Sequence, residues 1–330
     1  MKVPNANKLA ILAALNKGGF VSGQALGEQL GISRAAVNKH VKSLQEMGLD
    51  IFQVTGKGYS LNSAVGLLEH QQIMQCYQQL GAGKAQIELH PIVDSTNSEL
   101  MRRIQSDTSL ESGSVVVAEM QQAGRGRRGR VWQSPFGANL YYSYFWRLDD
   151  GLQAAMGVSI AVGLAVYDAI KALYQIDVAL KWPNDIYINN KKLAGVLVEL
   201  DGQPQGPCQI VMGIGINLNM PTHFSRHIDQ PWTDLSEHTT QLQKNKLVAY
   251  LTYHLEQRLS QYSETGLQQM YQQWNRLNAF AGECVELNTG HRSWRGICEG
   301  IDQHGGIKIR SDGEVKSYYG GEISLRKADL

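Results

Sequence analysis

Apolar positions along the first sixty residues recur at helical spacing in three short blocks. Leu9, Leu12 and Leu15 form the first, ended by Gly18-Gly19. Ser22 stands where it can cap a second helix carrying Leu26 and Leu30, and Gly31-Ile32 supplies a tight turn. Ser33 then opens a third helix with Val37, Val41 and Leu44 on one face and Arg34, Asn38 and Lys42 on the other. Two β-type runs follow around Gly56-Lys57-Gly58, which predicts a hairpin with Lys57 at its tip. The pattern predicts a winged helix-turn-helix over 1–64.

From residue 85 the pattern changes. "QIELHPIVDSTNSELMRRI" reads as strand, turn and helix, and "SVVVAEMQQ" as a buried strand. "GANLYYSYFWRL" alternates as a strand, and 153–174 is an apolar helix. "VALKWPNDIYINNKKLAGVLVEL" predicts two strands around Asn189-Asn190, and "QIVMGIGINLNM" another. Helices are predicted over 244–260, with Leu247, Leu251, Leu255 and Leu259 in line, and over 264–276. Residues 65–277 therefore read as an α/β domain with a mixed sheet. Residues 278–330 hold short β runs separated by Gly290, Gly300, Gly305-Gly306 and Gly313, which predicts a small SH3-like β-barrel. The fold class is multidomain α/β.

Composition sharpens this picture in two places. The net charge is only +1, yet residues 1–62 carry seven lysines and arginines against three acidic residues. The positive excess thus lies on the segment whose exposed face is polar, and Ser33, Arg34, Asn38, Lys42 and Lys57 are the candidates for DNA contact. The cysteines at 76, 208, 284 and 298 show no CxxC spacing, and no signal peptide or membrane-length apolar run is evident. The expectation is a cytoplasmic protein with no membrane partner.

The chemistry concentrates in "AGRGRRGR" (123–130). A nucleic-acid-coating tail of this composition would be long, repetitive and terminal. Here it is brief, internal and placed between a buried strand and an aromatic one. Gly124, Gly126 and Gly129 allow sharp turns, while Arg125, Arg127, Arg128 and Arg130 offer forked donors to phosphate or carboxylate. The loop is expected to become ordered on an anion. Lys181 and Lys192 add further cations, and Asn184 and Asp185 could hold Mg²⁺ or receive an amine. The physical reading is nucleotide-dependent activation of a carboxylate.

"DSTN" (94–97), "QQAGRGRRGRVW" (121–132), "SPFGANLY" (134–141), "KWPNDIY" (181–187), "KLAGVLVE" (192–199) and "GIGIN" (213–217) occur in this order. Together they resemble the biotin–protein ligase family, in the form that carries a winged helix and represses biotin synthesis. "GGEISLR" (320–326) extends the resemblance over nearly the whole chain. The resemblance implies that biotin and MgATP give biotinyl-5′-AMP, and that a lysine of the biotin carboxyl carrier protein of acetyl-CoA carboxylase attacks it. It implies biotin contacts from Ser95, Thr96, Asn97, Gln121, Gly124 and Gly195, with Arg125 and Arg127 closing over biotin and the adenylate phosphate. Arg125 is expected to be a phosphate-facing donor. Lys192 is implied in adenylation, with Lys181 and Asp185 near the reacting phosphate or incoming amine. Arg128, Arg130, Trp132, Asn184, Asn217 and Arg326 fall on the nucleotide side, and Trp232, in the loop 221–233, would cover the adenine. That loop departs from the family's pattern at His223 and His227, which read as exposed positions. The resemblance further implies that the adenylate drives homodimerisation and binding to the biotin operator. A non-catalytic regulator sensing a small carboxylate and a lipoate-type ligase are the alternative readings.

Overall fold

The computed structural model describes residues 6–81, 83–106, 110–149, 157–202, 206–288, 292–320 and 324–327. Its first unit contains α1 (Ala6–Leu15), α2 (Gly23–Leu30) and α3 (Arg34–Glu46), followed by the antiparallel pair β1 (Ile51–Val54) and β2 (Gly58–Leu61). Ser22 Oγ accepts the Ala25 N–H at 3.0 Å and Ser33 Oγ the Ala36 N–H at 3.2 Å, so both predicted caps are made. Gly31 takes φ 65° at the end of α2. Ile11, Leu12, Leu15, Leu26, Val37, Val41 and Leu44 form the core of this unit, with Leu9 only partly buried.

That core continues into the next domain. Ile92, Met120 and Phe136 belong to the same cluster, and Phe136 N–H donates to Met47 O at 2.8 Å. The winged helix is therefore packed onto the central domain through a shared core.

The central sheet comprises β3 (Gln86–His90), β4 (Ser114–Ala118), β5 (Asn139–Leu148), β6 (Ala179–Lys181), β7 (Asp185–Ile188), β8 (Lys191–Gly202) and β9 (Cys208–Asn217). Its order is β3-β4-β5-β9-β8-β7-β6, with β3–β4 parallel and every other pair antiparallel. The β7–β8 hairpin turns at Asn189 and Asn190, with φ 49° and 62°, as the sequence predicts. Helix α4 (His70–Gln79), which the pattern does not announce, precedes the sheet. Helix α5 (Thr96–Ser106) buries Leu100 and Ile104 on one face of the sheet, against Val116, Phe145 and Val211. The other face carries α6 (Val158–Tyr174) and α7 (Lys244–Thr265), with Leu247, Leu251, Leu255 and Leu259 all buried. Burial on both faces explains the unbroken apolar run of β4. The part of the expected 153–174 helix before residue 157 lies outside the described residues, and the expected 264–276 helix is reduced to α8 (Tyr271–Arg276).

The last unit is a five-stranded antiparallel sheet of β10 (Cys284–Asn288), β11 (Ser293–Ile301), β12 (Ile307–Ser311), β13 (Glu314–Tyr318) and β14 (Ser324–Lys327), ordered β13-β12-β11-β10-β14. Among the described residues β13 and β14 do not pair, so the sheet is not closed as the predicted barrel would be. The expected turn at Gly290 lies outside the described residues. Backbone bonds of 2.7 Å (Leu180 N to Leu277 O) and 2.8 Å (Ala279 N to Leu180 O) fasten this unit's approach to β6, and Trp182 Nε1 donates to Gly305 O at 3.0 Å.

Candidate functional site

A cavity of about 820 Å³ opens over β8 and β9. Its walls are the start of α5, the arginine loop, the segment 227–232 and residues Phe280, Leu325, Arg326 and Lys327 at the C-terminal sheet. Each part of the chain that carried a quoted motif in the central domain contributes to it.

One end is polar and buried. Ser95, Thr96 and Asn97 are 4%, 3% and 3% exposed at the opening turn of α5. Thr96 N–H donates to Gln121 Oε1 at 3.0 Å, and Gln121 Nε2 donates to Ser134 Oγ at 3.1 Å. Ser143 Oγ lies 2.7 Å from Thr96 Oγ1 and 2.6 Å from Asn97 Oδ1. Such a set can recognise a ligand head with both donors and acceptors. Gly124 is not on the cavity wall. A Cβ there would lie 2.6 Å from Ser134 Oγ and 2.7 Å from Trp132 O, so this glycine packs the base of the loop.

The arginine loop is a small hairpin, with Arg125 bridged to Val131 and Gly126 N–H donating to Arg130 O at 2.7 Å. Its side chains diverge. Arg127 enters the site and donates to Asn184 Oδ1 at 2.9 Å. Arg128, in the left-handed region at φ 58°, crosses to Asn288 O at 3.3 Å. Arg130 also lines the cavity. Arg125, also on the cavity wall, reaches Glu199, with Nη2 at 3.1 and 3.2 Å from its two carboxylate oxygens, and Ser98 Oγ at 2.6 Å. Arg125, expected as a phosphate-facing donor, lines the cavity as Arg127 does, but its guanidinium is engaged by Glu199 and Ser98.

The indole of Trp132 lies flat on the sheet. A Cβ at Gly215 would sit 2.5 Å from Trp132 Cε2, so only glycine fits beneath it, and Gly195 flanks the same ring. Trp132 Nε1 is buried over Gly215, with no hydrogen-bond partner among the described residues.

Beside this ring the cations gather. Lys192 Nζ is 2.7 Å from Asp185 Oδ1, and Lys181 Nζ is 3.8 Å from Asp185 Oδ2 and 3.0 Å from Tyr187 OH. Burial lowers the pKa of Lys181; Asp185 opposes this, and Arg326 and Arg130 add to it. Burial likewise lowers Arg127, again opposed by Asp185. Lys181, Lys192, Arg127 and Arg326 thus share a wall with Asp185, an arrangement that an anion relieves.

The segment 231–233 runs beside Lys192 as a short added strand: Lys192 N–H donates to Pro231 O and Thr233 N–H to Lys192 O, each at 3.0 Å. Trp232, half-buried, reaches the cavity from it. Asn217 also lines the cavity, but its Nδ2 donates to Thr233 O at 3.1 Å, so its amide holds the segment in place. His223 and His227 are exposed, and His227 stands at the rim. Sequence reading missed Tyr187, Ser143, Phe280 and Glu199. Only Glu199 had a visible signal: a charged residue at the end of an otherwise apolar strand motif.

On the winged helix, Arg34 and Lys42 are exposed, while Asn38 Nδ2 donates to Tyr59 OH at 3.0 Å and ties α3 to the wing. Lys57 is exposed at the wing tip, its Nζ 5.6 Å from the Phe20 ring centre. Ser33 serves as the cap of α3. No helix among the described residues is long and apolar enough to cross a membrane.

Comparison with known proteins matches residues 89–217 to the biotin/lipoate A/B protein ligase family, 7–60 to an HTH domain and 280–326 to a biotin protein ligase C-terminal domain. The chain is 44% identical to the bifunctional ligase/repressor BirA of Escherichia coli (strain K12), over 98% of this chain and 99% of that protein. It is 30% identical to the Bacillus subtilis (strain 168) protein of the same description, over 93% of this chain and 94% of that one. A solved structure of biotin protein ligase from Aquifex aeolicus, in complex with biotin and ATP, matches with TM-score 0.63 at 28% identity, covering 74% of this chain and 100% of that chain.

Proposed function

This chain belongs to the biotin protein ligase family, in its bifunctional ligase/repressor branch, and from that membership we propose a two-step ligase that also represses transcription. The observation that carries the chemistry is the junction of two environments in one cavity. A buried polar end, built by Ser95, Thr96, Asn97 and Gln121, suits the ureido head of biotin. The cationic end, built by Lys192, Lys181, Arg127 and Arg326, suits its carboxylate and the phosphates of ATP.

In the first step the biotin carboxylate attacks the α-phosphorus of ATP, and pyrophosphate leaves. Lys192 and Arg127 stabilise the charge on the pentavalent phosphorus and hold the carboxylate in line. Arg130 and Arg326 offer charge to the departing pyrophosphate. Asn184 orients Arg127, and Trp132 and Trp232 exclude water and supply flat faces to biotin and adenine. In the second step the ε-amine of a carrier-protein lysine attacks the acyl carbon, and AMP leaves. Asp185 is the carboxylate placed to receive the amine's proton.

Magnesium enters this scheme with ATP, on which it offsets phosphate charge. The described residues contain no group of three or more His, Cys, Asp or Glu side chains arranged to hold a metal. Asp185, which bears on both lysines, is the carboxylate that would approach such an ion.

The small C-terminal sheet is read as the SH3-like unit that helps bind ATP and the biotin carboxyl carrier protein. The adenylate is the corepressor, a homodimer is the operator-binding form, and Arg34, Asn38, Lys42 and Lys57 meet the biotin operator. β7 pairs with β8 only as far as Gly195, so the β8 edge from Leu197 to Gly202 is open among the described residues, with Leu200 41% exposed. An open sheet edge beside the ligand loops supports dimerisation that responds to the adenylate. The test is biotin-dependent ATP–pyrophosphate exchange in the wild type and in Lys192→Ala. Exchange lost in the variant supports adenylation at this site. Exchange with lipoate instead of biotin would change the substrate, and none with any acid would leave a sensor.

A further inference from the structure

Glu199 lies at the end of the motif "KLAGVLVE", outside the cavity wall, and has no part in the two chemical steps. Its carboxylate nevertheless joins two parts of the site. Oε2 accepts Asn97 Nδ2 at 2.7 Å, and Arg125 Nη2 lies 3.1 Å from Oε1 and 3.2 Å from Oε2. Asn97 Nδ2 also reaches Leu197 O at 3.2 Å, and its Oδ1 faces Ser143. The space for Asn97 is specific, because a Cβ on Gly213 would lie 2.3 Å from its Oδ1. Arg125 is clamped a second time by Ser98 Oγ at 2.6 Å, one residue along α5 from Asn97.

The geometry points to Glu199 as a positioning residue that latches the arginine loop to the opening turn of α5. Arg125 is the first residue of the loop hairpin. Fixing its guanidinium on Glu199 sets where Arg127, two residues on, enters the cavity. The same carboxylate fixes Asn97 at the polar end, so loop closure and the head-group site share one acceptor. The ion pair is part exposed, with side-chain exposures of 41% for Arg125 and 31% for Glu199. It can therefore break and re-form without disturbing the core. The kinetic consequence rests on the ligase reading above; the latch itself does not.

The test uses the full chain with Glu199→Gln, Glu199→Ala and the exchanged pair Arg125→Glu with Glu199→Arg. The first readout needs no ligand: the rate of trypsin cleavage after Arg127, Arg128 and Arg130. The second is the dissociation rate of biotinyl-5′-AMP, set against kcat for biotin-dependent exchange at saturating biotin. Glu199→Gln is expected to speed both cleavage and adenylate release about tenfold, through loss of a charge-assisted contact. Its kcat should stay within about twofold, since no group touching the reacting atoms is altered. The exchanged pair should regain most of the lost protection.

Wild-type cleavage and release in Glu199→Gln overturn the latch, as does an exchanged pair no better than the single variants. Where Glu199→Gln melts several degrees early, the exchanged pair decides: slow cleavage supports the latch and fast cleavage overturns it. A wild-type chain without exchange activity would remove the ligase reading and leave the cleavage rates to judge the latch.

Discussion

Lys192 and Asp185 meet across the β7–β8 pair with Nζ 2.7 Å from Oδ1, their side chains 14% and 15% exposed. The pair is charged, poorly hydrated and set against the Trp132 ring, whose centre is 5.5 Å from Nζ. Lys192→Ala removes a cation where phosphate charge develops and should lower biotin-dependent pyrophosphate exchange by about 100-fold or more. Asp185→Asn frees Lys192 from its counter-charge but removes the proton acceptor. Exchange should fall less in it than transfer to the carrier protein does. Equal losses in both half-reactions would contradict this division of roles.

The two arginines that flank Gly126 should fail in different ways. Arg127 faces the cavity and bonds to Asn184, whereas Arg125 is spent on Glu199 and Ser98. Arg127→Gly should raise the adenylate dissociation rate by about 10- to 100-fold through loss of a direct charged donor. Arg125→Gly should also release adenylate faster, but only by unlatching the loop. Its effect should therefore shrink in a Glu199→Ala background, where only the Ser98 contact is left to lose, while that of Arg127→Gly should persist. Additive losses for Arg125 and Glu199 would contradict the assignment.

Local signals gave much of this fold. Ser22, Ser33 and Gly31 specify the helix-turn-helix because capping and left-handed geometry are properties of adjacent residues. Asn189-Asn190 marks the β7–β8 turn for the same reason. The motifs likewise brought Lys181, Asp185, Lys192, Arg127 and Trp132 to one cavity. The failures are contacts between distant segments. Nothing near Arg125 shows that its partner is Glu199, more than seventy residues away. Nothing near Met47 shows that Phe136 will complete its core. Asn217 lines the cavity as expected, but nothing near it shows that its amide also holds Thr233 O, in a segment the periodicity leaves as loop.

The shared core makes a prediction about truncation. Removing residues 1–64 uncovers Ile92, Met120 and Phe136, which are 8%, 6% and 3% exposed in the intact chain. The shortened protein should lose operator binding and also melt several degrees lower, since each newly exposed side chain forfeits roughly 1–3 kcal/mol of burial. Point changes should behave otherwise. Arg34→Ala, Lys42→Ala or Lys57→Ala should weaken operator binding and leave exchange unchanged. Each should reduce the salt dependence by about one unit of slope where it removes a phosphate contact. A truncated chain with wild-type melting would show that the domains are energetically separate after all.

Lys181 should report ligand binding as proton uptake. Burial lowers its pKa below the ordinary value of 10.5, more than the neighbouring Asp185 restores it, with Arg326 and Arg130 adding to the shift. Between its folded and unfolded pKa values the unfolded chain holds the extra proton, so this group's cost to stability is present at lower pH and relieved as pH rises through that window. A polyphosphate placed beside it acts in the opposite sense, favouring the ammonium and raising the pKa again. Binding of ATP within that window should therefore draw protons from the buffer. Titration calorimetry in two buffers of different ionisation enthalpy measures this directly. Lys181→Gln should bind more weakly and take up correspondingly less. Equal uptake in the variant would place the titrating group elsewhere, because Arg127, though also lowered by burial, keeps its proton throughout this range.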